Sequence, residues 1–209
     1  MAEIKEYKVR IVGVRPLILH NVQLADSLND YTKRINELTA APAKVKKTEE
    51  HQMKLARIEF EGSMYLGPKG EQTMPGENIM RAIRDGGAEQ RNGKRLEAVV
   101  QVAEDAVPIE YEGPRDVEEL FNAKGPGGYV FRFRKQAKPR GQGVVLRTRP
   151  RFPEWALSFT LRLVLGAGIG EKNIRDALED AGQLKGLGDW RPRYGLFVVD
   201  TFKEQKRAA

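Results

Sequence analysis

The sequence predicts an α+β fold, on three observations. Two long segments, Glu3 to Val14 and Trp155 to Leu165, alternate apolar and polar residues at period two. Two others, around Ile79, Ala82 and Ile83 and around Ile174, Ala177 and Leu178, place apolar residues at helical spacing. The chain has 209 residues, 40% of them hydrophobic and 31% charged, which suffices for one globular core with insertions. The expectation is a single domain over 1–209, with a helical insertion over 22–62 and a basic strand–loop–strand insertion over 120–153.

The first strand sets Ile4, Tyr7, Val9, Ile11 and Val12 against Lys5, Glu6, Lys8 and Arg10, with one slip in the alternation. It reads as a central strand, ended at Arg15-Pro16 because proline cannot donate to a ladder. Leu17 to Leu19 continues as an apolar segment into His20-Asn21. A lone histidine after such a run is a packing or capping residue before it is a base, and His20 enters as a minor contact candidate.

Residues 22–62 are polar and helix-prone. Asp26 or Asn29 caps a helix through Leu38, Ala40 to Lys47 reads as a loop, and Thr48 caps a second helix stopped at Gly62. Glu49 and Glu50 suit the first turn of that helix. Lys44, Lys46 and Lys47 make the loop a candidate phosphate contact. Gly67-Pro68-Lys69-Gly70 turns a hairpin, and Pro75-Gly76-Glu77-Asn78 opens a helix to about Ala88 with Arg81 beside its apolar stripe. Leu96 to Val102 and Val107 to Tyr111 read as strands, and Asp116 to Phe121 as a short helix. After the Trp155 strand come a helix from Glu171 to Ala181, a glycine-rich turn from Gln183 to Tyr194 and a closing strand from Leu196 to Phe202.

Charge gives the sharpest signal. The chain carries +7, yet Leu120 to Pro153 alone holds nine Lys or Arg and no Asp or Glu, so the remainder sums to −2. Tyr129, Phe131, Phe133 and Phe152 are threaded through this block. Cations neutralise phosphates and release counterions, and aromatic faces accept bases, so the pattern fits a polyanion groove. Tyr129 to Arg134 reads as a strand with Arg132 and Arg134 on a basic face, followed by a basic loop with Lys135, Lys138 and Arg140. In the next strand Arg147, Arg149 and Arg151 fall on one face at period two, where like charges repel unless an anion sits across them.

Other chemistry is narrower. With zero cysteines there are no disulfides, thiolate metal sites or cysteine nucleophiles, and His20 and His51 lack metal-ligand spacing. No metal and no cofactor are expected. The charged N-terminus reads as a strand rather than a signal peptide, and no apolar run approaches a membrane span; a cytoplasmic protein without membrane partners is the expectation. Gly166, Gly168 and Gly170 before a helix imitate a dinucleotide fingerprint, but Glu171 would repel a pyrophosphate there. In Gly186-Leu187-Gly188-Asp189-Trp190-Arg191-Pro192-Arg193-Tyr194-Gly195, glycines permit close backbone approach. Trp190 and Tyr194 offer stacking faces, and Arg191 and Arg193 can hold phosphates.

The order of these segments resembles the RAMP superfamily of CRISPR effector proteins. The shared features are a strand ending at Pro16-Leu17, the Met74-Pro75-Gly76-Glu77-Asn78 segment with a helix carrying Arg81, and a glycine-rich loop before the last strand. The resemblance implies a ferredoxin-like, RRM-related antiparallel sheet with helical and β-hairpin insertions. It also implies a subunit that oligomerises along guide RNA beside other effector subunits. The chain further resembles a group of phage and prophage proteins with a PLL-x-HN start and a GLGDWRPRFG-x-F end, matched here by Pro16 to Asn21 and Gly186 to Phe197.

The expected function is therefore binding of single-stranded RNA or DNA as a homo-oligomer or filament. Phosphate contacts fall to the basic block, with base stacking by Phe131, Phe133, Trp190 or Tyr194. Three alternatives remain. One is a phage single-stranded DNA-binding or recombination protein. Another is an endoribonuclease of the same fold, using Asp26, Asp30 or Asp189 with Mg²⁺, or His20. The third is a phage protein whose basic face meets an acidic protein.

Overall fold

The computed structural model describes residues 3–46, 48–124, 128–136, 144–166 and 168–205. In chain order the elements are β1 (Ile4–Gly13), β2 (Leu17–Ile18), α1 (Asp30–Ala40), α2 (Ala43–Lys46), α3 (Glu49–Gly62), β3 (Thr73–Pro75) and α4 (Gly76–Gly87). Then follow α5 (Gly93–Val99), β4 (Val100–Val102), β5 (Ala106–Glu110), α6 (Val117–Asn122), β6 (Val130–Gln136), β7 (Val144–Phe152), β8 (Ala156–Val164), α7 (Glu171–Asp180) and β9 (Phe197–Gln205). The chain forms two compact units, one of residues 1–17, 66–112 and 152–209, the other of residues 18–65 and 113–151. The segments 22–62 and 120–151 thus fall in the same second unit.

The first unit is an α+β layer. Its sheet runs β3-β5-β8-β1-β9, with β4 also paired to β8, and each of these pairings is antiparallel. Reduced to β1, α4, β4/β5, β8, α7 and β9, this is the βαββαβ order of a ferredoxin-like fold. Alternation in β1 and β8 sends Tyr7, Val9 and Ile11 with Leu157, Phe159, Leu161 and Leu163 into one buried face. Helices α4 and α7 bury Ile79, Ala82, Ile83, Ile174, Ala177 and Leu178. The slip foreseen in β1 is a register shift against β9 at Arg10/Ile11. At the end of β1, Gly13 lies where a Cβ would meet the Trp155 indole at 2.1 Å, and the indole Nε1 donates to the Arg15 carbonyl at 2.8 Å.

The other face of this sheet is charged. Lys8 Nζ donates to Thr160 Oγ1 at 2.8 Å, Arg10 pairs with Glu110 and Asp200 at 3.0 and 3.3 Å, and Arg162 pairs with Glu6 at 2.9 Å. The hydrogen bonds that Arg10 donates to the Glu110 and Asp200 carboxylates hold its guanidinium above its usual range, Glu110 contributing more. No aromatic side chain occupies the outward positions of these strands among the described residues. A base-stacking platform of the RRM kind is therefore absent from that face as described.

In the second unit, Asn29 caps α1 by accepting from the Tyr31 N–H at 2.9 Å, and Thr48 caps α3 by accepting from the His51 N–H at 3.3 Å. Both caps agree with the sequence. Two segments differ from it. The loop expected over Ala40 to Lys47 contains the helical turn α2, and the strand expected over Leu96 to Val102 in the first unit is the helix α5 followed by β4. Leu96 is fully buried beside Gly87, so packing rather than local propensity selects helix there. The foreseen Met64–Met74 hairpin is reduced to one bridge, Leu66 to Gln72.

Candidate nucleic-acid interface

The second unit carries the charge imbalance. Its residues include 17 Lys and Arg against 10 Asp and Glu, a net +7, while the first unit has 19 of each and sums to zero. Every unit of net charge on the chain therefore belongs to the second unit. β2, β7 and β6 form a three-stranded sheet in that order, and β6 and β7 as far as Arg151 belong to the second unit.

The β6–β7 register sorts the expected contact residues onto two faces. Phe131 lies opposite Arg149 and Phe133 opposite Arg147, so these four share one face with Arg151. Arg132 and Arg134 lie opposite Thr148 and Leu146 and point the other way. The two arginine rows are thus not one surface. Arg132 and Arg134 are both exposed. Phe131 and Phe133 are half-buried and stacked on each other, with ring centres 5.4 Å apart at 28°. Arg149 is only 8% exposed, its guanidinium 5.9 Å from the Phe133 ring centre and bonded to the Thr148 carbonyl at 3.0 Å. Arg151 is half-buried.

The arginine row of β7 demands a counter-anion, and at Arg147 that anion is the protein's own Glu59. Arg147 Nη1 donates to Glu59 Oε1, and the Thr148 N–H donates to Oε2 at 2.8 Å. Glu59 is 2% exposed. Glu59 escaped the sequence reading. It sits in a helix among Ile58 and Phe60, and nothing local distinguishes it from a solvated glutamate.

The remaining candidates lie elsewhere. Lys44 is exposed on α2, and His20 is exposed with its carbonyl accepting from the Tyr65 hydroxyl at 3.0 Å. The side chains of Lys46 and Lys135, and Lys47, Lys138 and Arg140 entirely, lie outside the described residues. In the first unit, Arg81 is exposed on α4 at the edge of a cleft shared with Glu77, Arg84, Glu97 and Glu104. The glycine-rich turn follows a π-helical turn, Ala181–Lys185.

That turn is closely determined by its backbone. Gly186, Gly188 and Gly195 have φ of 72°, 76° and 72°, and Trp190 itself has φ 59°. A tryptophan in this region is unusual, and such strain persists only where the surroundings fix it. The surroundings do so here: the Leu187 N–H donates to the Gly195 carbonyl at 2.9 Å, and the Gly195 N–H to the Pro16 carbonyl at 2.9 Å. The result leaves Trp190 39% exposed and Arg193 exposed, with Tyr194 half-buried. Arg191 is turned back toward the Gly186 carbonyl at 3.4 Å and Asp85 at 3.7 Å.

No protein-family model matches the chain. No curated protein matches it either. Among solved structures, the chain is similar to part of the cryo-EM structure of the Type III-B Cmr-beta bound to cognate target RNA, at 11% identity and a TM-score of 0.49. The match covers 99% of this chain, which spans 62% of the length of that one.

The described residues contain no group of three or more His, Cys, Asp or Glu placed to hold a metal ion. No helix among them is long and apolar enough to cross a membrane. Exposed guanidinium groups and a stacked aromatic pair occupy the β6–β7 hairpin, and an exposed indole beside an arginine occupies the glycine-rich turn.

Proposed function

We propose that this protein binds single-stranded nucleic acid, and that the β6–β7 hairpin of the second unit is its principal contact. The single observation that carries this reading is the concentration of the whole +7 in that unit, with Arg132 and Arg134 exposed on a hairpin that also carries Phe131 and Phe133. Arginines at this spacing meet phosphates, which fixes position without reading sequence. Trp190 and Arg193 make a second contact of the same chemistry.

The finer reading is RNA, held by a RAMP-like subunit that repeats along the strand beside other effector subunits. It is supported by the βαββαβ topology of the first unit together with the Pro16-Leu17, Pro75 to Arg81 and Gly186 to Gly195 segments.

Fluorescence anisotropy with labelled single-stranded RNA, single-stranded DNA and duplex DNA, across a salt series with EDTA present, tests both levels. The expected result is tight single-strand binding, a steep negative salt slope and preference for RNA. Preference for single-stranded DNA would favour the phage-type binder. Weak binding, equal for the three and lost at moderate salt, would overturn the proposal and direct attention to an acidic protein partner.

A further inference from the structure

The geometry points to a guanine-binding pocket in the second unit, with Glu59 as its specificity-determining residue. The pocket has a volume of about 360 Å³ and is formed by α1, α3, β6 and β7. That is within the range of small-molecule sites and roomy enough for one nucleotide base. Its walls are largely aliphatic, with Leu38, Leu55, Ala56 and Leu146, and Arg132 and the Glu59–Arg147 pair also line it.

The preference follows from lone-pair accounting. A carboxylate offers about four acceptor sites. Two are taken, one on each oxygen, by Arg147 Nη1 and the Thr148 N–H. One site remains on each oxygen, so two parallel donors can be received side by side. Among the four standard bases, guanine alone presents two adjacent donors, N1–H and the N2 amino group, on its Watson–Crick edge. Its O6 beside them is an acceptor, and Arg147, already fixed against Glu59, is the donor for it. The exposed Arg132 at the rim suits the phosphate of the same nucleotide.

The same base chemistry is available from a free guanine nucleotide or from a guanine within a strand. The inference rests on the nucleic-acid reading only for the second source. Titration calorimetry of the full chain with GMP, AMP, CMP and UMP addresses the first. Anisotropy competition between a short oligouridine and the same oligomer bearing one central guanine addresses the second.

The expected result is a preference for guanine of at least about tenfold in one arm or both, since a site built to bond a group rejects ligands lacking it. Glu59→Gln should abolish that preference, because the amide turns one acceptor into a donor facing guanine N–H. Leu55→Phe should weaken guanine binding by narrowing the pocket while leaving the Glu59–Arg147 pair intact, and it decides the matter if Glu59→Gln does not fold. GMP binding without strand binding supports the pocket and removes the single-strand reading. Strand binding with no guanine preference in either arm overturns the pocket and leaves the single-strand reading standing. Guanine preference that survives Glu59→Gln, or guanine binding that Leu55→Phe leaves unchanged, also overturns the pocket.

Discussion

At the scale of single residues, arginines on one hairpin do different work. Arg147 pairs with Glu59, which is almost fully buried. Removing one partner of such a pair strands the other, and the partial exposure of Arg147 moderates the cost. Arg147→Ala is therefore expected to destabilise by about 2–3 kcal/mol, read from the urea midpoint. Arg134 is exposed on the opposite face and should behave conversely. Arg134→Ala should change stability by less than about 0.5 kcal/mol yet reduce the salt slope of single-strand binding by about 0.7. In the first unit, burial pushes the Tyr7 phenol above its ordinary value, opposed by Lys5 and aided by Glu204. A raised value means that folding favours the neutral phenol. The stability it contributes is complete below the unfolded value near about 10 and is lost as pH rises through the folded value. Alkaline unfolding should begin at higher pH in Tyr7→Phe than in wild type, and tyrosinate absorbance followed against unfolding checks it.

At the scale of elements, helix-on-helix contact is set by a glycine. A Cβ at Gly86 of α4 would lie 2.1 Å from the Ala177 carbonyl oxygen of α7. Gly86→Ala must push the helices apart, at a cost of about 1–3 kcal/mol in thermal or denaturant unfolding. If the variant melts like wild type, the close approach of α4 to α7 is not what holds them. The strands and caps were legible because their signals are local. Alternation gave β1 and β8, Asn29 and Thr48 announced α1 and α3, and Asp116 announced α6. The helix α5 was not legible, because Leu96, Val99, Val100 and Val102 satisfy a strand pattern and only the packing of Leu96 beside Gly87 decides otherwise. The same limit applies to the hairpin. Its arginines are plain in the sequence, but pairing register alone reveals that Arg132 and Arg134 leave the strands on the side opposite to Arg147 and Arg149, and only the side-chain contacts show that Arg132 and Arg147 both reach α3, at Met53 and Glu59. Glu59, about ninety residues from its partners, left no local trace.

At the scale of the whole molecule, two units with different charge economies share one chain. The first is neutral and pairs its charges across the sheet, as Arg10 does with Glu110 and Asp200. The second holds the full +7. Counterion release counts phosphates met by unpaired cations, so the salt dependence of binding should be a property of the second unit alone. Each lost phosphate contact lowers the single-strand slope by about 0.7, so Arg132→Ala with Arg134→Ala should lower it by about 1.4. Arg10→Ala, which removes one positive charge from a neutralised network, should leave the slope unchanged. The comparison separates located contact from net charge: all three substitutions make the chain less basic, but two remove groups expected to touch phosphate. Equal reductions per charge at Arg10 and at the hairpin, measured by anisotropy over the same salt series, would mean that binding follows overall charge and that the hairpin has no special part in it.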